Sequence, residues 1–562
     1  MAAGGSANRL WAERIIGGLV AAGVAAVILS PGSRSTPLAL AALRHPGLDV
    51  HVLLDERAAA FFALGQAKAR CAPVALVCTS GSAVANWHPA VIEADRGRVP
   101  LILISADRPP ELLDCGANQV IDQARLFGSA LRAYHALPPA GGESGWLANL
   151  TAQAVLESLW PEPGPVQINA AFREPLLAGD DASPAPSAAS IASPALVLPR
   201  LMPRDGDLDC LARRIEGLRG AILCGPGAGA PASVAALAAR LDVPVLADPL
   251  SGMRFGSHDR SRVMTAQDLF LRQDGLVPDW VLRLGAAPVS KILNQWASRA
   301  RERWVVAPTG RWSDPNRDAG IMIVADDDAL TEGLAARVRV PAPPDWMASF
   351  RAAEAEAQDV IASQGPDEAA VIAQLLDLLP DNALLFVGNS MAIRDLDTFS
   401  GTSGKTLTVM GNRGASGIDG NLATFLGAAA SGRFSAALAL VGDLTFLHDL
   451  GGLAAGKGDA TIAVLANGGG AIFEHLAVAG ILPRAEFAQG WLTPQSADIA
   501  AASAAFGCHH SRTAPDGAED ALAEALARPG VSVVEIVIDR DKSVRDHRAL
   551  WSAQAQPLER SS

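Results

Sequence analysis

Ala436-Ala437-Leu438-Ala439-Leu440-Val441-Gly442-Asp443-Leu444 is the stretch on which the fold turns. Its apolar run does not alternate with polar residues, so it reads as a strand buried on both faces, as in a parallel sheet. A glycine and an acid end it abruptly. Ligands in open α/β sheets bind at the carboxyl ends of strands, which places Asp443 where chemistry is expected. Further runs of the same kind lie at 383–387, 461–465 and 531–538, and Ala- and Leu-rich helical segments separate them. That alternation is the signature of βαβ units.

The pattern repeats upstream. Apolar runs at 25–29, 50–54, 74–78 and 101–105 make a first block, and runs at 221–224, 243–247, 280–284 and 304–307 a second. Two stretches interrupt it, the Ala-, Ser- and Pro-rich residues 179–199 and Val340-Pro341-Ala342-Pro343-Pro344-Asp345-Trp346, whose compositions read as linkers. The expected architecture is α/β with three doubly wound parallel-sheet domains, at 1–180, 195–340 and 350–545. At 562 residues the chain is long enough for three or four domains of about 150 residues each.

Bulk properties exclude several classes. Asp and Glu outnumber Lys and Arg by 59 to 46, and a net charge of −13 opposes binding to a phosphate backbone, so no nucleic-acid partner is expected. Six cysteines without a CxxC pair suggest neither a zinc site nor a disulfide framework. The longest apolar stretch, 15–29, contains glycines and is shorter than the roughly 20 residues of a membrane span. Residues 1–9 lack the basic start and apolar middle of a signal peptide. A cytoplasmic protein is expected.

Asp443 is followed 24 positions later by Asn467-Gly468-Gly469-Gly470. A carboxylate oxygen, a side-chain amide oxygen and a backbone carbonyl from the glycine run, at Gly469, suit a hard divalent cation such as Mg²⁺ or Mn²⁺ shared with a phosphate group. Glycines at such a turn let the backbone approach phosphates. The same residues also suit a plain strand-to-helix turn capped by Asp443. Asp55-Glu56-Arg57 places a second acid, Glu56, just after a strand of the first block, where a solvated turn is the alternative.

Longer motifs weigh against both plain readings. Ser30-Pro31-Gly32-Ser33-Arg34-Ser35-Thr36-Pro37 follows the first strand; Ser105-Ala106-Asp107-Arg108-Pro109-Pro110 and Cys115-Gly116-Ala117-Asn118-Gln119 follow the fourth. The last block adds Gly388-Asn389-Ser390-Met391-Ala392-Ile393-Arg394, Gly411-Asn412-Arg413-Gly414-Ala415-Ser416-Gly417-Ile418-Asp419-Gly420 and Gly470-Ala471-Ile472-Phe473. With Pro288-Val289-Ser290-Lys291 in the middle block, these motifs resemble thiamine-diphosphate-dependent enzymes, and among them the menaquinone-pathway synthases, along nearly the whole chain. Leu444 in place of a third glycine matches those synthases, whereas Ala466 and Ile292 depart from their pattern.

The resemblance implies a carboligase that uses thiamine diphosphate and Mg²⁺ or Mn²⁺, decarboxylates 2-oxoglutarate and adds the four-carbon unit to isochorismate in a 1,4 sense. It makes Glu56 the acid that activates the cofactor. Ser390, Ile418, Gly442, Asp443, Leu444, Asn467 and Phe473 would bind the cofactor, with Asp443, Asn467 and Gly469 on the metal. Both substrates are dicarboxylates, which suits Arg34, Arg108, Lys291, Arg394 and Arg413, with Ser33, Asn118, Gln119 and Ser390 as polar contacts. Any one of these cations alone reads as a surface charge. Because Glu56 and Asp443 lie in different blocks, the resemblance further implies a homodimer with shared active sites, with a tetramer allowed.

Three alternatives stand beside this reading. Another thiamine-dependent 2-oxoacid decarboxylase or carboligase is one, although the first block has only the isolated His45, His51, His88 and His135 and no paired histidines. A non-catalytic binding protein on the same fold is another. The third is a dinucleotide-dependent oxidoreductase, because Gly225-Pro226-Gly227-Ala228-Gly229-Ala230 follows a strand and Asp248 ends the next one.

Overall fold

The computed structural model describes residues 2–177, 193–456 and 458–553. Strands among them form three six-stranded sheets in which every pairing is parallel. The first sheet contains β1 (Ala26–Leu29), β2 (Asp49–Val52), β3 (Val74–Cys78), β4 (Leu101–Asp107), β5 (Ala133–Leu137) and β6 (Pro165–Ala171), in the order β2-β1-β3-β4-β6-β5. The second contains β7 (Gly220–Cys224), β8 (Val245–Ala247), β9 (Val263–Met264), β10 (Trp280–Leu284), β11 (Glu302–Val306) and β12 (Ile321–Ile323), ordered β12-β11-β10-β7-β8-β9. The third contains β13 (Ala383–Val387), β14 (Leu407–Met410), β15 (Ala437–Gly442), β16 (Ala460–Ala466), β17 (His509–Thr513) and β18 (Val531–Val537), ordered β14-β13-β15-β16-β18-β17.

First and third sheets therefore share one topology, and the middle sheet has the doubly wound nucleotide-binding order. The α/β class with three parallel sheets is as expected. Most of the apolar runs quoted above are strands, because strands covered by helices on both faces must be apolar throughout.

The chain divides into two compact units. One takes in the described residues within Met1–Leu198, together with Asn412–Arg433 and His448–Gly458. In it Trp11, Ile15 and Leu19 of the helix Ala2–Ala21 pack on apolar residues of the first sheet. The helix Glu56–Arg70 lies against the helix Asn421–Ala429, and the contact requires glycine on both sides. A Cβ on Gly65 would stand 1.9 Å from the Thr424 carbonyl oxygen, and one on Gly427 2.1 Å from that of Phe62. Such distances are closer than any side chain allows.

The other unit takes in Pro199–Gly411, Phe434–Leu447 and the described residues of Asp459–Ser562. Its core includes Trp280, Trp296, Trp304, Trp346 and Phe350. Trp346 corrects one expectation. Residues 340–346 do not behave as a free linker: Gly217 N donates to Val340 O, Ala342 N to Leu241 O, and the buried Trp346 indole Nε1 to Gly220 O at 2.7 Å. Proline at the first turn of the helix Pro344–Gln364 explains the misleading composition, since its missing N–H costs nothing there. Of the other stretch, residues 178–192 lie outside the described residues.

Candidate active site

Asp443 follows the glycine that ends β15, and Asn467 follows the end of the neighbouring β16. The Asp443 side chain is buried; Oδ1 accepts from Leu444 N at 2.7 Å, and Oδ2 from Gly468 N at 2.8 Å and Gly469 N at 3.0 Å. Burial raises its pKa, and those backbone donors oppose the rise. Beside it, Asn467 Oδ1 is buried and accepts no hydrogen bond. An orphaned buried acceptor normally costs about 1–3 kcal/mol, so its retention beside a carboxylate fits an oxygen-ligated cation. Gly469, at φ +129°, has the Leu492 carbonyl oxygen 2.1 Å from where a Cβ would be, which keeps this turn tight. Asp443, Leu444, Asn467, Gly468 and Arg540 line a cleft of ≈ 680 Å³, and Gly442 adjoins it.

Other expected residues of this unit stand at strand ends as well. Ser390, at φ +68°, follows β13 and precedes the helix Met391–Phe399; its carbonyl accepts from Arg394 Nη1 at 2.6 Å. Phe473 lies on the single turn Ala471–His475, directly after the glycine run. Lys291 is exposed and opens the helix Lys291–Ala297 in the connection after β10.

In the unit built on the first sheet, Glu56 is half-buried at the first turn of its helix, whose N-terminus is capped by Asp55 accepting from Arg57 N at 2.8 Å and Ala58 N at 3.4 Å. Burial, and then the charge of nearby Glu56, push the Cys78 thiol well up, which places Glu56 near the end of β3. Arg34 is buried with Nη1 on Phe172 O at 2.9 Å and Nη2 on Glu174 Oε1 at 3.1 Å, leaving Nε without a hydrogen bond. Arg108 Nη1 donates to Gln119 O at 3.0 Å, and Gln119 Nε2 to Ser80 O at 2.9 Å. Burial and the like charge of Arg34 lower the Arg108 pKa, so the two guanidinium groups are electrostatic neighbours. Ser33 and Asn118 are exposed on the same loops, while Arg413 and Ile418 are half-buried in the loop 411–420.

Several residues that hold these groups were not anticipated. Glu93, buried on the helix His88–Gly97, accepts from Gly414 N at 2.8 Å, Ala415 N at 2.6 Å and Ser416 N at 3.3 Å, and so fixes the loop that carries Arg413 and Ile418. Lys68 Nζ donates to Asn412 Oδ1 at 2.9 Å, and Arg57 pairs with the buried Asp449 at 3.0 Å. An acid on a helix several turns from any motif gives no local signal; only the fold brings it to the loop.

In the central glycine motif nothing lies within 4 Å of where a Cβ on Gly227 would stand, but the start of the helix that follows is already occupied. A Cβ on Gly225 would stand 1.8 Å from Ala286 O, so the neighbouring connection already abuts the turn. Asp328 Oδ1 accepts from Ala230 N and from Ser233 Oγ, both at 2.7 Å, at the start of the helix Pro231–Leu241. A carboxylate thus occupies the helix terminus that a phosphate would need. The oxidoreductase alternative is disfavoured on these grounds.

Comparison with known proteins identifies the family. The family profile described as "Thiamine pyrophosphate enzyme, N-terminal TPP binding domain" matches residues 11–126, and "Middle domain of thiamine pyrophosphate" matches residues 212–387. The chain is 46% identical over 547 residues to the 2-succinyl-5-enolpyruvyl-6-hydroxy-3-cyclohexene-1-carboxylate synthase of Dechloromonas aromatica, covering 95% of this chain and 99% of that one. Synthases of the same name from Geobacillus kaustophilus and Haloarcula marismortui are 40% and 41% identical, over 98% and 96% of this chain and 98% and 97% of theirs. The chain belongs to the family of 2-succinyl-5-enolpyruvyl-6-hydroxy-3-cyclohexene-1-carboxylate synthases, thiamine-diphosphate-dependent enzymes.

Proposed function

We propose that this enzyme decarboxylates 2-oxoglutarate and adds the resulting four-carbon unit to isochorismate in a 1,4 sense, the step of menaquinone biosynthesis that gives its relatives their name. The observation that carries the reading is the orphaned Asn467 Oδ1 beside the buried Asp443 carboxylate in a chain so similar to those relatives. Bound thiamine diphosphate supplies the nucleophilic carbon and the electron sink for the decarboxylation and carbon–carbon bond formation.

The chain's own residues do the rest. Asp443, Asn467 and a backbone carbonyl at Gly469 hold Mg²⁺ or Mn²⁺, and the glycines at 442 and 468–470 admit the diphosphate. Glu56 exchanges a proton with the cofactor's aminopyrimidine ring. Ile418, Leu444 and Phe473 give apolar surface to the ring system and keep water out. Arg34, Arg108, Lys291, Arg394 and Arg413 bind the carboxylates of the two substrates, with Ser33, Asn118, Gln119 and Ser390 as hydrogen-bonding partners.

The same reading includes a homodimer with shared active sites as the minimal active unit, which sedimentation measures, and a cytoplasmic location. The exposed free thiols of Cys71, Cys115 and Cys210 suit a reducing compartment. The function is tested by incubating the protein with thiamine diphosphate, Mg²⁺ and 2-oxoglutarate, with and without isochorismate. Mass spectrometry should find the adduct only when both substrates are present. Turnover of other 2-oxoacids in preference to 2-oxoglutarate, with no adduct, would favour a different carboligase.

A further inference from the structure

Strands β7 and β10 are neighbours at the place where the order of the middle sheet reverses, and the connections that leave them are fastened together. Gly225 N donates to Leu284 O at 3.0 Å and Ala286 N to Pro226 O at 2.9 Å. Gly285, at φ +72°, leaves 2.6 Å between a Cβ and Pro226 O. The glycines therefore serve the close approach of two loops, and the second of these loops runs directly to Lys291.

Both residues before Lys291 are tethered by acids. Val289 N donates to Asp248 Oδ2 at 2.8 Å, while Asp248 Oδ1 accepts from Leu250 N at 2.8 Å. Ser290 Oγ donates to Asp268 Oδ1 at 2.6 Å, and Arg272 holds the other oxygen of Asp268 at 2.8 Å. Asp248 is 1% exposed, so its carboxylate is spent inside the protein. Lys291 itself is exposed and forms no ion pair among the described residues. The helix Gln267–Phe270, which carries Asp268, packs against the helix Met391–Phe399, and the charge of Asp268 reaches Arg394 there.

We propose that Asp248, the acid that would serve a ribose in a dinucleotide site, and Asp268 are positioning residues that hold the Lys291 loop for a substrate carboxylate. The nucleotide-like motif of the middle sheet is then a specificity device for one dicarboxylate substrate. This rests on the carboxylate-binding role given to Lys291 above. A flexible lysine loses much rotamer freedom on binding, and fixing its backbone beforehand lowers that cost.

The test is steady-state kinetics of the cofactor-loaded enzyme with each substrate varied in turn, for Lys291→Gln, Asp248→Asn, Ser290→Ala and the double variant Asp248→Asn/Lys291→Gln. Lys291→Gln should raise KM for one substrate roughly tenfold, the loss of about one charge-assisted hydrogen bond. Asp248→Asn and Ser290→Ala should raise KM for that same substrate about threefold to tenfold, with kcat and the other KM within about twofold, and the double variant should be no worse than Lys291→Gln alone. Effects that multiply in the double variant, a rise in both KM values, or no rise for Asp248→Asn and Ser290→Ala would overturn the proposal. An unchanged KM in Lys291→Gln would remove the carboxylate role of Lys291, and the proposal with it; that outcome is read from the single variant alone. Should Asp248→Asn fail to fold, Ser290→Ala decides by the same comparison, since it cuts the Asp268 tether together with the cap that Ser290 Oγ places on Leu293 N at 3.1 Å, the two side-chain bonds by which Ser290 fixes the start of the Lys291 helix.

Discussion

Asp443 Oδ2 accepts hydrogen bonds from Gly468 at 2.8 Å and Gly469 at 3.0 Å, so the acid after one strand is bound to the loop after the next. Asp443→Ala removes both the proposed metal ligand and the clasp. Calorimetric titration with thiamine diphosphate and Mg²⁺ should show no binding, and unchanged affinity would take Asp443 out of the site.

Asn467 separates those two roles, because its Oδ1 has no protein partner to lose. Asn467→Leu keeps the size of the side chain, and the apo-protein should melt within a few degrees of the parent. Cation-dependent cofactor affinity should fall about 10–100-fold, as expected for losing 1–3 kcal/mol of interaction. Equal loss of stability and affinity would mark Asn467 as structural.

Glu56→Gln keeps a hydrogen-bonding group and removes the exchangeable acid. Thiamine diphosphate should still bind, while deuterium exchange at the thiazolium C2 slows by about 10²–10⁴-fold, the usual contribution of general acid–base help. Wild-type exchange rates in the variant would make Glu56 a turn residue.

Glu93 takes three backbone N–H groups of the loop at 414–416, and no other side chain among the described residues is seen to bind those amides. Glu93→Ala should speed hydrogen exchange of the Gly414, Ala415 and Ser416 amides by roughly 10–100-fold, from the loss of about 1.5–3 kcal/mol of charged hydrogen bonding. Unchanged protection there would mean that the loop is held by other contacts.

His547 gives a pH dependence. It is 2% exposed, with Nε2 on Asp395 Oδ1 at 3.1 Å and Nδ1 on Ser543 O at 2.8 Å. Burial by itself would lower its pKa, but the Asp395 hydrogen bond and charge, the charge of Glu368 and the Ser543 carbonyl raise it from 6.5 to about 9. A histidine raised in the folded state adds stability that is complete below its unfolded value and is lost as pH climbs through the folded one. His547→Gln should therefore melt several degrees lower at pH 6–7, for a contribution on the order of 2–3 kcal/mol, and the difference should close above about pH 9. A gap that widens with pH would contradict a charged His547.

Much of this protein was legible in its sequence. Runs such as 74–78 and 383–387 are strands because a strand covered on both faces must be apolar throughout. The glycine-and-acid turns after them stand at strand ends, because that is where a parallel sheet leaves its loops. Strands with polar faces stayed hidden: His509–Thr513 at a sheet edge, and Pro165–Ala171, whose Gln167 and Asn169 bond to Ser105, Gln123 and Asp107 instead of packing as apolar side chains. Only the tertiary structure decided which acids hold which loops. Glu93 meets residues 414–416 across more than 300 positions of sequence, and Asp248, which in sequence belongs only to the dinucleotide alternative, spends its charge on Val289. Local pattern fixes where a backbone turns, because sterics and burial act over a few residues. The partner of a buried charge depends on what the fold brings within 3 Å of it, and no short stretch of sequence contains that distance.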